Sequence, residues 1–266
     1  MNKKMHELGV ENMRVTLLGT GTSQGVPVIG CECEVCSSDD SRDSRLRTSA
    51  KIEIGTTTVV IDTGPDFRRQ MLGNKVKSLD AIVFTHEHKD HVAGLDDIRA
   101  YNYFQNKPMD IYANKDVEKA LMRNYHYAFN PSVTCGVPKM KILNIHRDPF
   151  VLGGVEWIPL PVMHAELEVL GFKIGDFAYL TDVNYISEET FDKLKGVKVL
   201  VISALRKFPH HSHFELNEVL EVIERLKVKT AYLTHMSHLM GLHSDLESEL
   251  PDGVYPGYDG LEIIGE

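Results

Sequence analysis

The chain has 266 residues, 42% hydrophobic and 25% charged, which suits a folded enzyme with a sizeable core in a single domain. A formal net charge of −9 disfavours a broad nucleic-acid-binding surface, although a local basic patch remains compatible with it. No apolar run reaches the roughly 20 residues of a membrane span, and Met1–Asn12 lacks the apolar stretch of a signal peptide, so a cytoplasmic protein without a membrane partner is expected.

In chain order, residues 1–12 read as a loose extension and residues 13–266 as one domain. A strand over 14–18 leads into the turn 19–25, whose glycine spacing and following Pro27 do not suit a dinucleotide loop. Strands over 50–54 and 58–61, a helix over 66–72, a strand over 81–84, a helix over 94–104, a strand over 110–112 and a helix over 116–127 complete a first half. The second half offers strands over 155–159, 171–174 and 178–180, a helix over 188–195, a strand over 199–202, a helix over 215–226, a strand over 231–233, a helix over 244–250 and a last strand over 261–264. Leu216, Val219, Leu220, Ile223 and Leu226 make one apolar face, the spacing of a surface helix lying on a sheet. No repeat of solenoid period and no low-complexity linker divides the chain.

The most informative stretch is Thr85-His86-Glu87-His88-Lys89-Asp90-His91, which follows the apolar run of residues 79–84. Neutral imidazole is the commonest side-chain metal ligand, and a carboxylate adds a hard oxygen. His86 and His88, two apart in an extended turn, can close on one ion, while Asp90 and His91 lie beyond a bend and can face another. Further ligand-type residues end other strands: His164, Asp182 in Tyr-Leu-Thr-Asp, and His235 in Tyr-Leu-Thr-His. Singly each is a common turn former; together they fill a two-metal centre. His86, His88 and His164 would hold one ion, Asp90, His91 and His235 the other, and the two oxygens of Asp182 would bridge them. Asp62, at the end of the strand over 58–61, is expected to orient a ligand rather than bind metal.

Cys31, Cys33 and Cys36 place three thiols within six residues, too close for easy pairing among themselves. Three thiolates on a tight loop favour a tetrahedral soft ion, with zinc the default, and a closed site needs a fourth ligand. His238, three residues past His235, is preferred; His243 and Cys135 compete for the place. Arg68 and Arg69 suit a substrate phosphate or a solvated helix face equally, and His126 and His146 read as structural.

The pattern His86-x-His88-x-Asp90-His91, then His164, Asp182 and His235, resembles the metallo-β-lactamase superfamily of metal-dependent hydrolases over nearly the whole chain. The resemblance implies an α/β (α+β) fold, a four-layer αββα sandwich, with the metals at one edge between two sheets. The segment from Gly25 to Cys36 narrows it, because it resembles the early loop of the phosphoribosyl cyclic phosphate phosphodiesterase family of the carbon–phosphorus lyase pathway. In that family three cysteines and a late histidine hold a structural zinc, which Leu233-Thr234-His235-Met236-Ser237-His238 would complete here. Gly257-Tyr258-Asp259-Gly260-Leu261-Glu262 resembles the family's ending and reads as a turn. His210-His211-Ser212-His213 resembles the segment that supplies a catalytic histidine outside the metal shell, with His213 the matching residue.

The implied reaction is hydrolysis of a small cyclic phosphate diester, which two divalent ions, manganese or zinc, would promote by making hydroxide available near neutrality. Asp90 at the metals and His213 are the catalytic candidates, His213 as an acid for the departing alkoxide or as a phosphate clamp. A homodimer is expected from the resemblance alone. Three alternatives stay open: a transfer-RNA 3′-end nuclease, a thioesterase resembling glyoxalase II, and a binding protein resembling pyrroloquinoline quinone synthesis protein B.

Overall fold

Short runs of β-branched, aromatic and other apolar residues form two sheets in the computed structural model, which describes residues 4–6, 10, 12–130, 132 and 136–265. In chain order come β1 (Lys4–His6), β2 (Met13–Gly19), β3 (Ser49–Ile54), β4 (Thr57–Ile61), β5 (Ala81–Val83), β6 (Met109–Ala113) and β7 (Met140–Asn144). They are followed by β8 (Phe150–Leu152), β9 (Val155–His164), β10 (Leu167–Ile174), β11 (Phe177–Leu180), β12 (Tyr185–Ile186), β13 (Val199–Ser203), β14 (Thr230–Thr234), β15 (Val254–Pro256) and β16 (Glu262–Gly265). The first sheet runs β1-β16-β2-β3-β4-β5-β6-β7 and the second β12-β9-β10-β11-β13-β14-β15, with β8 on β9. Within each, a run of parallel strands (β4 to β7, and β11-β13-β14-β15) adjoins an antiparallel part.

The helices are α1 (Phe67–Gly73), α2 (Lys89–Val92), α3 (Arg99–Gln105), α4 (Lys115–Asn124), α5 (Glu188–Leu194), α6 (Leu216–Leu226) and α7 (His243–Glu249). Their starts are chemically marked. Asn114 accepts from the Asp116 and Val117 amides before α4, Ser187 caps α5, and Glu215 with Glu218 forms a capping box on α6.

Three apolar layers hold four layers of structure together. Val15, Ile52 and Val59 of the first sheet meet Trp157, Phe172, Tyr179 and Tyr232 of the second in the central core. Phe67, Met71, Val117 and Leu121 cover the outer face of the first sheet, and Phe191, Val219, Ile223 and Leu246 that of the second. This is the αββα sandwich expected from the sequence.

The structure differs from the sequence reading at edges and joints. Residues 94–104 are not one helix: a 3-10 turn, Leu95–Ile98, precedes α3. Within residues 1–12, β1 pairs in parallel with β16. Strands β7, β8, β12 and β15 escaped notice because they are short and lie at or beside sheet edges, where side chains need not be uniformly apolar. Among the described residues no helix is long and apolar enough to cross a membrane.

The central core rests heavily on Trp157, which is fully buried, lies 6.0 Å from the Phe150 ring and 5.9 Å from the Phe172 ring, and donates its indole N–H to Leu152 O. Trp157→Ala should lower unfolding free energy by about 3–5 kcal/mol in urea titration. A loss below about 1 kcal/mol would show that the two sheets do not depend on this contact.

Candidate metal centre

Parallel strands leave their carboxyl ends at one edge of a sheet, and side chains just past those ends share a common crevice. Here β4 leads to Asp62, β5 to His86, β11 to Asp182 and β14 to His235. Three of these four, Asp62, Asp182 and His235, have positive φ, at 62°, 53° and 54°. The left-handed conformation costs a non-glycine residue roughly 1–3 kcal/mol, so the surroundings must hold it in place. His164 arrives differently. It pairs with Leu167 across a two-residue hairpin turn between β9 and β10, in which Ala165 takes φ 53°.

The loop after β5 stays extended through His88, then turns into α2, so that Asp90 and His91 sit in the first helical turn. Two glycines let it lie flat on the segment after β4. A Cβ on Gly64 would stand 2.0 Å from Asp90 O, and one on Gly94 2.1 Å from Gly64 O. Thr63 N donates to His91 O and Gly94 N to Thr63 O, which closes the joint.

Hydrogen bonds behind the rings decide which nitrogen faces inward. His91 Nδ1 donates to Asp62 Oδ2 at 2.8 Å, and His164 Nδ1 to Ser212 O at 2.7 Å. Thr85 Oγ1 donates to Asp62 Oδ2 and therefore accepts from His86 Nδ1 at 3.0 Å. Each of these three rings thus carries its proton on Nδ1 and presents the Nε2 lone pair to the crevice, the arrangement a metal ligand needs. His86 Nε2 comes within 3.0 Å of His88 Nδ1.

The ligand atoms gather in two groups, each within 4.8 Å of one another: His86, His88 and His164, and Asp90, His91, Asp182 and His235. Asp182 lies between them. Its Oδ2 is 3.2 Å from His91 Nε2, its Oδ1 is 3.2 Å from His235 Nε2, and the same carboxylate groups with His164 and His213. Asp90 Oδ2 stands 3.3 Å from His91 Nε2 and 3.7 Å from His235 Nε2. Buried His91 Nε2 and His235 Nε2 have no hydrogen-bond partner among the described residues. Converging lone pairs, carboxylate oxygens and unpartnered buried nitrogens fit divalent metal ions.

The electrostatics point the same way. Burial works against a charged His91, yet the carboxylates of Asp182, Asp62 and Asp90 outweigh it and lift its pKa well above the ordinary imidazole value. Burial opposes an ionised Asp182 as well, and His235 and His91 overcome it and hold the carboxyl well below its usual range. Such a field favours a cation at its centre.

His213 lies on the segment before α6, 8% exposed, its ring 4.4 Å from that of His164 and stacked 4.9 Å from that of His235. Its Nδ1 is 3.8 Å from Asp182 Oδ1 and has no hydrogen-bond partner among the described residues. Burial, followed by the nearby His235, pushes it down to about 3. His210 and His211 precede it, and the Ser212 amide donates to His210 Nδ1.

A separate cluster brings Cys31 Sγ and Cys33 Sγ to 3.3 Å and Cys36 Sγ to 3.6 Å from His238 Nδ1. The Cys36 amide and then His238 hold Cys33 down at about 6, in the range of a thiolate. Of the competitors for the fourth place, His243 turns instead to Arg45, whose Nη2 donates to its Nδ1 at 3.3 Å, and Cys135 lies outside the described residues. Arg68 lines a groove among Phe67, Met71 and Phe104 on the outer layer, and Arg69 is exposed on α1. The sequence reading missed Thr85 and Ser212, which orient His86 and His164. Thr85 could have been singled out as the polar residue opening the histidine motif, whereas a backbone carbonyl such as Ser212 O carries no side-chain signal.

A family model for the β-lactamase superfamily domain matches residues 57–236, well over half of the chain, and the chain belongs to that family. With this donor set it is a metal-dependent hydrolase. Among solved structures, a diphosphatase from the PhnP family is similar at a TM-score of 0.89 and 38% identity, over 96% of this chain and 98% of that one. Zinc-bound PqqB from Methylobacterium extorquens shares the fold at a TM-score of 0.75 and 18% identity, over 94% and 99% of the two chains. An octanoyltransferase from Porphyromonas gingivalis is 40% identical over 255 residues, 95% of this chain. The chain spans about half the length of that curated relative, 51%.

If Asp62 holds His91 and Thr85 in register, Asp62→Ala should weaken divalent-metal binding about 10–100-fold in competition with a chromophoric chelator. Unchanged affinity would show that these hydrogen bonds do not set ligand geometry.

Proposed function

We propose that the chain is a phosphodiesterase that opens a small cyclic phosphate diester of the phosphoribosyl 1,2-cyclic phosphate kind. His86, His88 and His164 would hold one divalent ion, and Asp90, His91 and His235 a second, with Asp182 shared and manganese or zinc suited to the mixed donors. Cys31, Cys33, Cys36 and His238 would hold a structural zinc. Bound ions would supply a low-pKa water and neutralise phosphoryl charge.

The observation that carries this reading is His213, which abuts both ligand groups, shares an atom set only with His164 and Asp182, and leaves Nδ1 unpartnered beside Asp182. A neutral imidazole there gives an N–H to the departing ring oxygen or to a phosphoryl oxygen. Asp90 and Asp182 repel an anionic substrate when no cation is bound, so substrate entry depends on the charge those residues collect. Asp62, Thr85 and Ser212 keep the rings from rotating toward the substrate.

A second substrate class has its own support in the 38% identical PhnP-family structure described as a diphosphatase. A small diphosphate ester presents a phosphoanhydride P–O bond to the same residues, with phosphate rather than alkoxide as leaving group. Assays of the purified chain on a ribose 1,2-cyclic phosphate, a small diphosphate ester, a transfer-RNA precursor and a thioester separate these readings. Turnover of the cyclic diester at least about tenfold better in kcat/KM than the others supports the first. Preference for the thioester or the RNA overturns both phosphate readings.

His213→Ala should retain wild-type metal content and lose activity on an alkoxide-leaving diester, with a smaller loss on bis-nitrophenyl phosphate, whose leaving group needs little assistance. Loss of metal would make His213 a ligand, and wild-type rates on both substrates would remove it from the chemistry. Elemental analysis should find three ions per chain, two removed readily by chelator and one retained with the cysteines. Asp182→Ala should weaken both labile ions, while Cys31→Ser/Cys33→Ser/Cys36→Ser abolishes the retained one and leaves the ion at His86, His88 and His164 in place. Two tightly held ions without Asp182 would contradict its shared role.

A further inference from the structure

The ending Gly257-Tyr258-Asp259-Gly260 has a task that lies outside the ligand set. Asp259 Oδ1 accepts from both the amide and the hydroxyl of Thr20 at 2.9 Å, and its Oδ2 accepts from Leu46 N at 2.7 Å. Arg45, 4% exposed, donates from Nη1 to Thr20 Oγ1 at 3.0 Å and to Gly257 O at 2.5 Å. Thr20 is therefore fixed by a half-buried carboxylate and a buried cation at once, and both flanks of the cysteine loop are tied to the turn at residues 257–260.

Thr20 in turn grips the end of β14. Its carbonyl accepts from Met236 N at 2.9 Å, and Thr22 N donates to Met236 O at 3.1 Å, so the peptide units on both sides of Met236 are clasped. Met236 follows His235, whose left-handed backbone would relax if that clasp loosened. Gly257 N donates to Leu233 O at 2.9 Å on the same strand end. The strained residue is held from outside by hydrogen bonds that originate at Asp259.

We propose that Asp259, acting with Arg45 on Thr20, is a positioning residue for His235 through the Met236 backbone. The proposal rests on the reading of His235 as a ligand of the ion shared with Asp90 and His91. Loss of the clasp then lowers affinity at that position and leaves the position of His86, His88 and His164 intact. A residue that only stabilised the fold would weaken both positions or neither.

The test uses the full chain, stripped of its labile ions and titrated with Mn²⁺ against a chromophoric chelator. Asp259→Asn keeps the shape but places an amide donor or an uncharged oxygen against three donors; Thr20→Val removes only the hydroxyl and decides the matter if Asp259→Asn does not fold. Both should lose about tenfold or more at one Mn²⁺ equivalent and less than about twofold at the other, with excess Mn²⁺ restoring kcat. Thermal unfolding of the same samples verifies that the variants are folded. Folded Thr20→Val with both equivalents unchanged, or both weakened alike, overturns the proposal. His235→Ala separates the two layers of the argument. If it weakens one equivalent while Thr20→Val and Asp259→Asn weaken none, only the clasp fails. If His235→Ala weakens neither, the ligand reading fails and the clasp falls with it.

Discussion

Asp182 stands at the constraint on which this molecule turns: a buried carboxylate facing imidazoles on either side, at the end of a strand in the inner layers of a sandwich. Removing an ionised carboxylate from water costs several kcal/mol even after relaxation, and hydrogen bonds alone seldom repay it. Asp62 and Asp182 are both buried here, with Asp90 close by. The surrounding histidines supply part of the compensating charge, as the lifted His91 indicates. A divalent cation would supply it without a proton and leave the Nε2 lone pairs of His86, His91 and His164 pointing inward. The stability of this edge of the fold and its capacity to bind metal are therefore one property.

That arrangement explains where the backbone departs from easy geometry. Strands β4, β11 and β14 deliver Asp62, Asp182 and His235 in left-handed conformations, because a regular strand would alternate past the crevice instead of turning a side chain into it. The Gly64–Gly94 contact brings the α2 loop closer than any side chain would allow. Each feature opposes stability locally and is held by the three apolar cores behind it. Function is concentrated where the sheets end, and stability where they overlap.

The sequence disclosed this division unevenly, and for physical reasons. The clusters of candidate ligands were readable because imidazole, carboxylate and thiol have few uses at that density, and because His86, His88, Asp90 and His91 share one loop. Helix α6 was readable from its apolar stripe. The division of residues 94–104 into the 3-10 turn and α3 was not, since one continuous apolar and polar pattern runs across both. The edge strand β7 exposes much of its surface, so its composition carries little pattern. His238 was favoured over His243 from spacing alone; the structure adds the reason, for Arg45 turns His243 away from the cysteines. Asp259 read as a turn residue because a carboxylate's three long-range donors leave no trace in the residues beside it.

One short turn carries both His235 and His238. Ser237 caps the 3-10 turn after it by accepting from Leu239 N, while its hydroxyl and amide both donate to Leu205 O, so the turn is short and tightly anchored. His235 faces the carboxylates on one side and His238 faces three sulfurs on the other. A displacement of His238 must be absorbed within the two intervening residues, and Met236 is already clasped by Thr20 and Thr22. The cysteine cluster is thus more than a staple for a surface loop: it fixes the far end of the peptide whose near end enters the candidate metal centre. A rigid cluster of cysteines and His238 beside the strained turn lets His235 remain in register without a larger core beneath it.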